Sequence, residues 1–361
     1  MTLNLNLPVN SVSFGQISSL ILRNLFLRKK EIRLVPISNV DVSSQSDLSQ
    51  EFIDWVQRSV NHGLPNLSRK EKIFKLWHIN GSFESFTEKQ VLLSFYELDS
   101  PTNIEINTVK NNYKVLFSSE ETVNLYKSLG CDNVDYLPLA FDKYNFSTID
   151  KTYFSDDRIV FNLVGKLEKR KHHLKLIQLW ANKFGNNRKY ALQCAIFNPF
   201  IKPEDQSSLI SQALNGKQYF NINFLPFMNQ NKIYNDFLNS GNIIIGMSGG
   251  EGWGLPEFHS IAMGKYGVIM NAHGYKSWAD ERNSILVEPK SKIECYDGVF
   301  FHKGAPYNQG NIYDFQPDDF ISACEEAIKK VEAKKVNENG LLLQEKFNID
   351  KLVDNIYNHL Q

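Results

Sequence analysis

Residues 248–264 read SGGEGWGLPEFHSIAMG and follow the apolar run NIIIGM. Gly249, Gly250, Gly252 and Gly254 let a backbone approach a ligand closely or turn through positive φ, and Pro256 could begin a helix directly after them. The unpaired N–H groups of such a helix start attract an anion. Strand, glycine-rich loop and helix together point to a phosphate site, the alternative being a turn whose glycines serve packing alone. Glu251 sharpens the reading. A carboxylate in a phosphate loop repels its ligand unless it meets hydroxyl groups on the same molecule, as in a sugar nucleotide. The dinucleotide pattern GxGxxG fails, with Leu255 and Glu257 where its third glycine belongs, and GxxxxGK[ST] is absent. A dehydrogenase or a nucleoside triphosphatase therefore fits poorly.

The elements around this loop follow from hydrophobic periodicity. Strands are predicted at 158–164, 190–197, 219–225, 242–247, 266–270 and 284–287. Between the first two, RKHHLKLIQLWANKF carries Leu174, Ile177, Ala181 and Phe184 on one helical face. This is a βαβ crossover, and its repetition implies a parallel sheet with ligands at the carboxyl ends of the strands. A helix over 317–335 presents Phe320, Cys324, Ala327 and Val331 along one stripe. In the first half, a helix at 17–26 and strands at 32–37, 73–79, 91–95 and 113–118 are expected, with a loop over 41–50. Residues 140–157 lack sustained periodicity and mark the domain boundary. The prediction is two α/β domains facing a cleft.

Composition agrees with a globular chain of about two domains. The sequence has 361 residues, 42% hydrophobic and 22% charged, which argues against disordered, collagen-like and coiled-coil classes. Lys plus Arg and Asp plus Glu number 40 each, so no global field draws the protein to nucleic acid or an anionic membrane. Cys131, Cys194, Cys295 and Cys324 form no CxxC pair, which speaks against a zinc site or a disulfide framework. With neither a secretory signal nor a run of 18 apolar residues visible, no integral membrane segment is expected and a cytoplasmic location fits best.

EGWGLPEFHSIAMGKYGVIM resembles the signature of the retaining glycosyltransferases of family 4, which have the GT-B fold. IVFNLVGKLEKRKHHLKLIQLW is similar to that family's strand, basic loop and helix, and YKVLFSSEETVNLYKSLGCDNVDYLPLAFD to the end of its acceptor domain. The resemblance covers about two-thirds of the chain, from about Tyr113 onward. It implies two Rossmann-like, doubly wound domains, an acceptor-side one over 1–145 and a nucleotide-sugar-binding one over 146–345. Residues 346–361 would form a terminal helix that could cross back to the first domain.

The resemblance also implies roles. Glu251 becomes the first acid of an E-x7-E pair that contacts the donor sugar, within a donor-binding loop of Gly249, Gly250, Gly252, Trp253, Gly254 and Leu255. The second acid falls on His259, a departure; a neutral imidazole could replace it at the ribose hydroxyls, or stand on the helix surface without a ligand. Lys166 and Lys171 take the places of the basic pair that neutralises the diphosphate leaving group, although Lys169, Arg170 and Lys171 could instead be a solvated helix start. Gly15 is similar to the family's N-terminal glycine before the first helix. His78 and Glu97, at the ends of two strands, are candidates to orient the acceptor hydroxyl, while His78 could equally be a core histidine.

The activity so implied is transfer of a sugar, with retention, from a nucleotide diphosphate sugar to an acceptor hydroxyl on a glycan, lipid carrier, protein or modified base. No cofactor is expected, and no metal, because lysines would balance the diphosphate and no Asp-x-Asp motif is present. A sugar-nucleotide epimerase and a noncatalytic sugar- or nucleotide-binding protein on the same fold are the rivals.

Overall fold

Alternating leucines and asparagines open the chain as β1 (Leu3–Pro8), yet all six residues are buried because the strand lies inside a sheet rather than at its edge. The asparagines are satisfied there, Asn6 donating to the Val35 carbonyl at 2.8 Å. The computed structural model describes residues 2–361. The first domain continues with α1 (Ser13–Leu27), β2 (Ile32–Ile37), α2 (Gln50–Asn61), β3 (Lys72–Leu76), β4 (Lys89–Ser94), α3 (Asn103–Asn111), β5 (Lys114–Phe117), α4 (Glu120–Ser128) and β6 (Val134–Tyr136). Its six strands pair in parallel in the order β2-β1-β3-β4-β5-β6.

After the irregular stretch 137–158 the second domain repeats the plan. Its elements are β7 (Ile159–Val164), α5 (His173–Phe184), β8 (Tyr190–Ala195), α6 (Pro203–Ala213), β9 (Ile222–Phe224), α7 (Asn231–Ser240), β10 (Ile243–Gly246), α8 (Leu255–Ala262), β11 (Tyr266–Met270) and β12 (Ile285–Val287). The strand order is β12-β11-β10-β7-β8-β9, again all parallel. The α5 crossover buries Leu176, Ile177, Trp180, Ala181 and Phe184, while Leu174, expected on that face, is only half-buried.

In each sheet the strand order reverses once, between β1 and β3 and between β7 and β10. Chains leave such a pair of strands in opposite directions, which opens a crevice at their carboxyl ends. The predicted site residues lie just beyond those ends. Gly15 and His78 follow β1 and β3, and Lys166 and Glu251 follow β7 and β10.

Two further pieces join the domains. A hairpin of β13 (Ser291–Glu294) and β14 (Asn311–Asp314), too short and polar to be read from the sequence, extends from the second domain onto the first. There Asp99 receives the backbone N–H of Asn311 at 2.8 Å and the ammonium of Lys292 at 2.8 Å, and Cys295, Phe301 and Ile312 enter the apolar cluster around Tyr96 and Phe117. After α9 (Pro317–Ala333), α10 (Glu338–Leu341) and α11 (Leu343–Lys346), the chain returns to the first domain as α12 (Ile349–Leu360). This helix packs on α1, with Arg28 bridging Asp350 at 2.7 Å and Asp354 at 2.5 Å. Covered by the sheet on one side and α12 on the other, α1 buries even Ser18, Ser19 and Asn24.

Candidate functional site

β10 is a fully buried IIIG run, and the glycine loop leaves its carboxyl end where the second domain faces the first. Two approaches explain the glycines. A Cβ on Gly250 would stand 2.3 Å from the Glu97 carbonyl oxygen, and one on Gly252 2.6 Å from the Phe95 Cβ. Both neighbours belong to the first domain, and Ser118 Oγ of that domain donates to the Gly252 carbonyl at 2.7 Å. Gly249 instead pairs with the hairpin, accepting from the Tyr313 N–H at 2.9 Å. These glycines are therefore needed for contact between segments of the protein, and the expectation of an open phosphate-binding loop is corrected to that extent. Gly254, at φ +81°, starts α8 in the left-handed region.

The Glu251 side chain is buried and held by two cations. Arg170 Nη1 lies 2.8 Å from Glu251 Oε1 and donates to the Gly250 carbonyl at 2.7 Å, while the Lys171 ammonium contacts the same carboxylate oxygen. Arg170 also reaches Glu168 at 2.8 Å through Nε and, across the cleft, Glu97 at 3.2 Å through Nη2. Lys166 completes the set, 2.9 Å from Glu168 and half-exposed. Burial alone would raise the pKa of Glu251, but Lys171 and Arg170 overcome it and hold the group down to about 2. Glu97 moves the other way, pushed up by burial and by Glu251 and Glu168 against the opposing pull of Arg170.

The expected basic pair is thus a triad. Lys171 and Arg170 are buried, which excludes the solvated reading for both. Arg170 and Glu168 were missed because a run of charges ordinarily marks a solvated face; the signal was their position between a buried strand and an apolar helix.

The other predicted residues divide. His78 is exposed rather than in the core; its ring packs 4.5 Å from that of Phe14. Partial enclosure, and then the charge of Lys166 facing it across the cleft, lower its pKa, so it is neutral at pH 7 and able to accept a proton. Gly15 lies inside the first turn of α1 rather than before it, 2.3 Å from the Asn10 carbonyl oxygen by its missing Cβ. Trp253 is a core residue, packed on Phe258 and Phe347, so its side chain is withdrawn from any donor. Leu255 is half-buried in the first turn of α8.

His259 departs furthest from expectation. It is buried between the rings of Phe141 and Phe146, its Nδ1 lies 2.7 Å from the Leu255 carbonyl, and its Nε2 accepts the Asp142 N–H at 3.2 Å. Burial holds its pKa down to about 4, so the ring is neutral, donating from Nδ1 and accepting at Nε2. Neither nitrogen is left for a ribose hydroxyl, and the helix-surface alternative fails as well. The histidine clamps the segment that links the domains. His259→Ala should therefore cost about 2–4 kcal/mol of stability, from a cavity between Phe141 and Phe146 and an unpaired Asp142 N–H. Urea unfolding would show it. A donor KM raised tenfold at unchanged stability would return the residue to ligand contact.

A cavity of about 560 Å³ lies under the hairpin, lined by Glu168, Lys175, Asn198, Phe300 and Asp314 among others. Of its charged groups, Lys175 pairs with Asp314 at 2.6 Å and Glu168 with Lys166 and Arg170, while Lys169 donates to the Tyr296 carbonyl and Asp297 accepts backbone N–H groups of its own turn.

No protein-family model matches the chain, and no curated protein matches it in sequence. The fold has clear relatives. Sucrose-phosphate synthase from Thermosynechococcus elongatus superposes with a TM-score of 0.66 at 10% identity, over 99% of this chain and 98% of that one. A glycosyltransferase from Rickettsia africae ESF-5 gives 0.67 at 11% identity, over 99% and 97%. Anabaena HepE, in complex with UDP and glucose, gives 0.64 at 12% identity, over 99% of both chains. The two parallel six-stranded sheets with flanking helices are the two-domain α/β GT-B fold.

Proposed function

We propose that the protein is a retaining, metal-independent glycosyltransferase resembling those of family 4, moving a sugar from a nucleoside diphosphate sugar to an acceptor hydroxyl. One observation carries the reading. A buried carboxylate, Glu251, stands at the crevice of the second domain in contact with two buried cations, Lys171 and Arg170. Hydroxyl groups of a sugar suit the carboxylate, and a diphosphate suits the cations. Three structural neighbours are enzymes of sugar transfer or a protein holding UDP and glucose, which supports the same reading.

The chemistry follows from what these groups already do. Lys171 and Arg170 have only carboxylate and carbonyl partners, which a diphosphate can displace. Charge grows on the leaving phosphate as the glycosidic bond breaks, so fixed cations beside it lower the barrier more than they tighten ground-state binding. Lys166, half-exposed, adds a third. On the facing domain, neutral His78 would hold the acceptor hydroxyl, supported by its exposed position beside the half-buried Trp77 and Phe95. The acceptor is a glycan, lipid carrier, protein or modified base. No helix is long and apolar enough to cross a membrane among the described residues. Four unpaired, buried cysteines suit the cytoplasm.

Thermal unfolding with a panel of nucleotide sugars tests the donor. A donor at 100 times its dissociation constant should add about 2.7 kcal/mol of stability. The gain, and transfer to an acceptor, should persist in EDTA. Loss on chelation, restored by manganese or magnesium, would overturn metal independence; stabilisation without transfer or donor hydrolysis would leave a binding protein.

A further inference from the structure

Glu257 has no part in the mechanism above, yet it lies directly beneath it. The side chain is buried, and its Oε2 has no hydrogen-bond partner. From the first turn of α8 it folds back against the end of β10, where a Cβ on Gly246 would stand 2.7 Å from its Cγ. Tyr275 lies on its other side, the two side chains meeting around Gly254, and the Tyr275 hydroxyl, which has no other partner, is the one side-chain donor facing the carboxyl. The charged and titratable groups facing Glu257 are Lys171 and Glu251 from the loops above, Tyr275 from the turn after β11 and Tyr234 from α7. Of these only Lys171 is a cation, and its ammonium contacts Glu251.

Charge is therefore unbalanced around the crevice. Glu97, Glu168, Glu251 and Glu257 face Lys166, Arg170 and Lys171, four carboxyl groups against three cations. A diphosphate adds two negative charges and competes for Lys171. The buried carboxyl with no cation of its own, and only a phenol for a donor, is the one least able to stay ionised. We infer, on the donor reading above, that Glu257 takes up a proton from solvent when the diphosphate donor binds, so that donor and proton enter together. Glu257 touches no substrate; it is a positioning residue whose neutralisation leaves the charge of Lys171 to be shared by Glu251 and the incoming phosphate alone. Burial and the charge of Glu251, opposed by Lys171, raise its pKa to about 7, within the range where such uptake is measurable.

A nucleoside diphosphate sugar has no group of its own that gains a proton near neutral pH, so uptake belongs to the protein. Calorimetric titration with UDP-glucose, GDP-mannose and ADP-glucose at pH 7.5, in phosphate and in Tris, reads it directly from the difference in apparent enthalpy. The donor that binds should bring about 0.3 to 0.8 proton per site, and its affinity should fall about fivefold to tenfold between pH 6.5 and 8.5. Glu257→Gln should bind with under about 0.1 proton and a flat pH profile, whereas Glu97→Gln should keep the uptake. Wild-type binding without uptake overturns the inference and spares the donor reading, a result that needs no variant to fold. Full uptake in Glu257→Gln, or its loss in Glu97→Gln instead, also overturns it. Failure of all three sugars to bind overturns the donor reading and the inference together.

Discussion

Replacing Glu251 with Gln should lower turnover by about 100-fold or more while leaving the donor KM unchanged or lower. The two effects separate because the carboxylate has two kinds of partner. Before the donor arrives it neutralises Lys171 and Arg170, and its loss leaves both cations better able to hold a diphosphate. On the proposed donor reading it is also the charged acceptor for the sugar hydroxyls, whose hydrogen bonds would strengthen as positive charge develops on the ring, and an amide oxygen cannot match it. Steady-state kinetics on the donor would show turnover falling alone. Wild-type turnover, or a raised KM with turnover intact, would remove Glu251 from the reacting centre.

Arg170→Met should be the most destabilising single change in the cleft, by about 3–5 kcal/mol. The guanidinium is the common partner of Glu97, Glu168 and Glu251, and without it three carboxyl groups face one another with only Lys166 and Lys171 to balance them, Glu97 losing its one cation. Adding Glu97→Gln to Arg170→Met should recover part of the loss, since it removes one of the stranded charges. The acid limb would shift as well. Glu251 has its pKa lowered from 4.5 to about 2, so its ion pairs stabilise the fold above pH 4.5, and the contribution is lost as pH falls toward 2. In Arg170→Met that loss should shrink. Urea unfolding at pH 7 and pH 3 measures both effects; an unchanged midpoint at pH 7 would mean that the cluster contributes nothing to stability.

Much of the fold was legible because strand periodicity survives where a sheet is buried on both faces. The strand at Tyr266–Met270 falls where expected, and β7, β8 and β10 lie within their predicted spans. β1 was overlooked although LNLNLP alternates with strand period, and its burial on both faces was not legible, because nothing local says that its asparagines will be satisfied inside a sheet. The β13–β14 hairpin escaped because its strands gain burial only from a distant domain. In the candidate site, letter spacing singled out the glycine loop and Glu251 because both belong to one continuous segment. It misjudged Arg170 and His259, whose roles depend on partners far away in the chain, Glu97 for one and Asp142 for the other.

The return of α12 to the first domain has a consequence for how the molecule is made. Ile349, Leu352, Val353, Ile356 and Leu360 are buried, and with the Arg28 bridges they complete a layer over α1 that residues 2–136 cannot supply themselves. In the order of synthesis the first domain comes early but stays unfinished, with the outer face of α1 bare, until residues 349–360 have been made and can pack on it. The expected order of maturation is therefore the reverse of the order of synthesis, since the second domain, whose elements end with α11, can close before the first. A chain stopped after residue 346 would leave that apolar face open to chaperones and to other chains during the whole of its life.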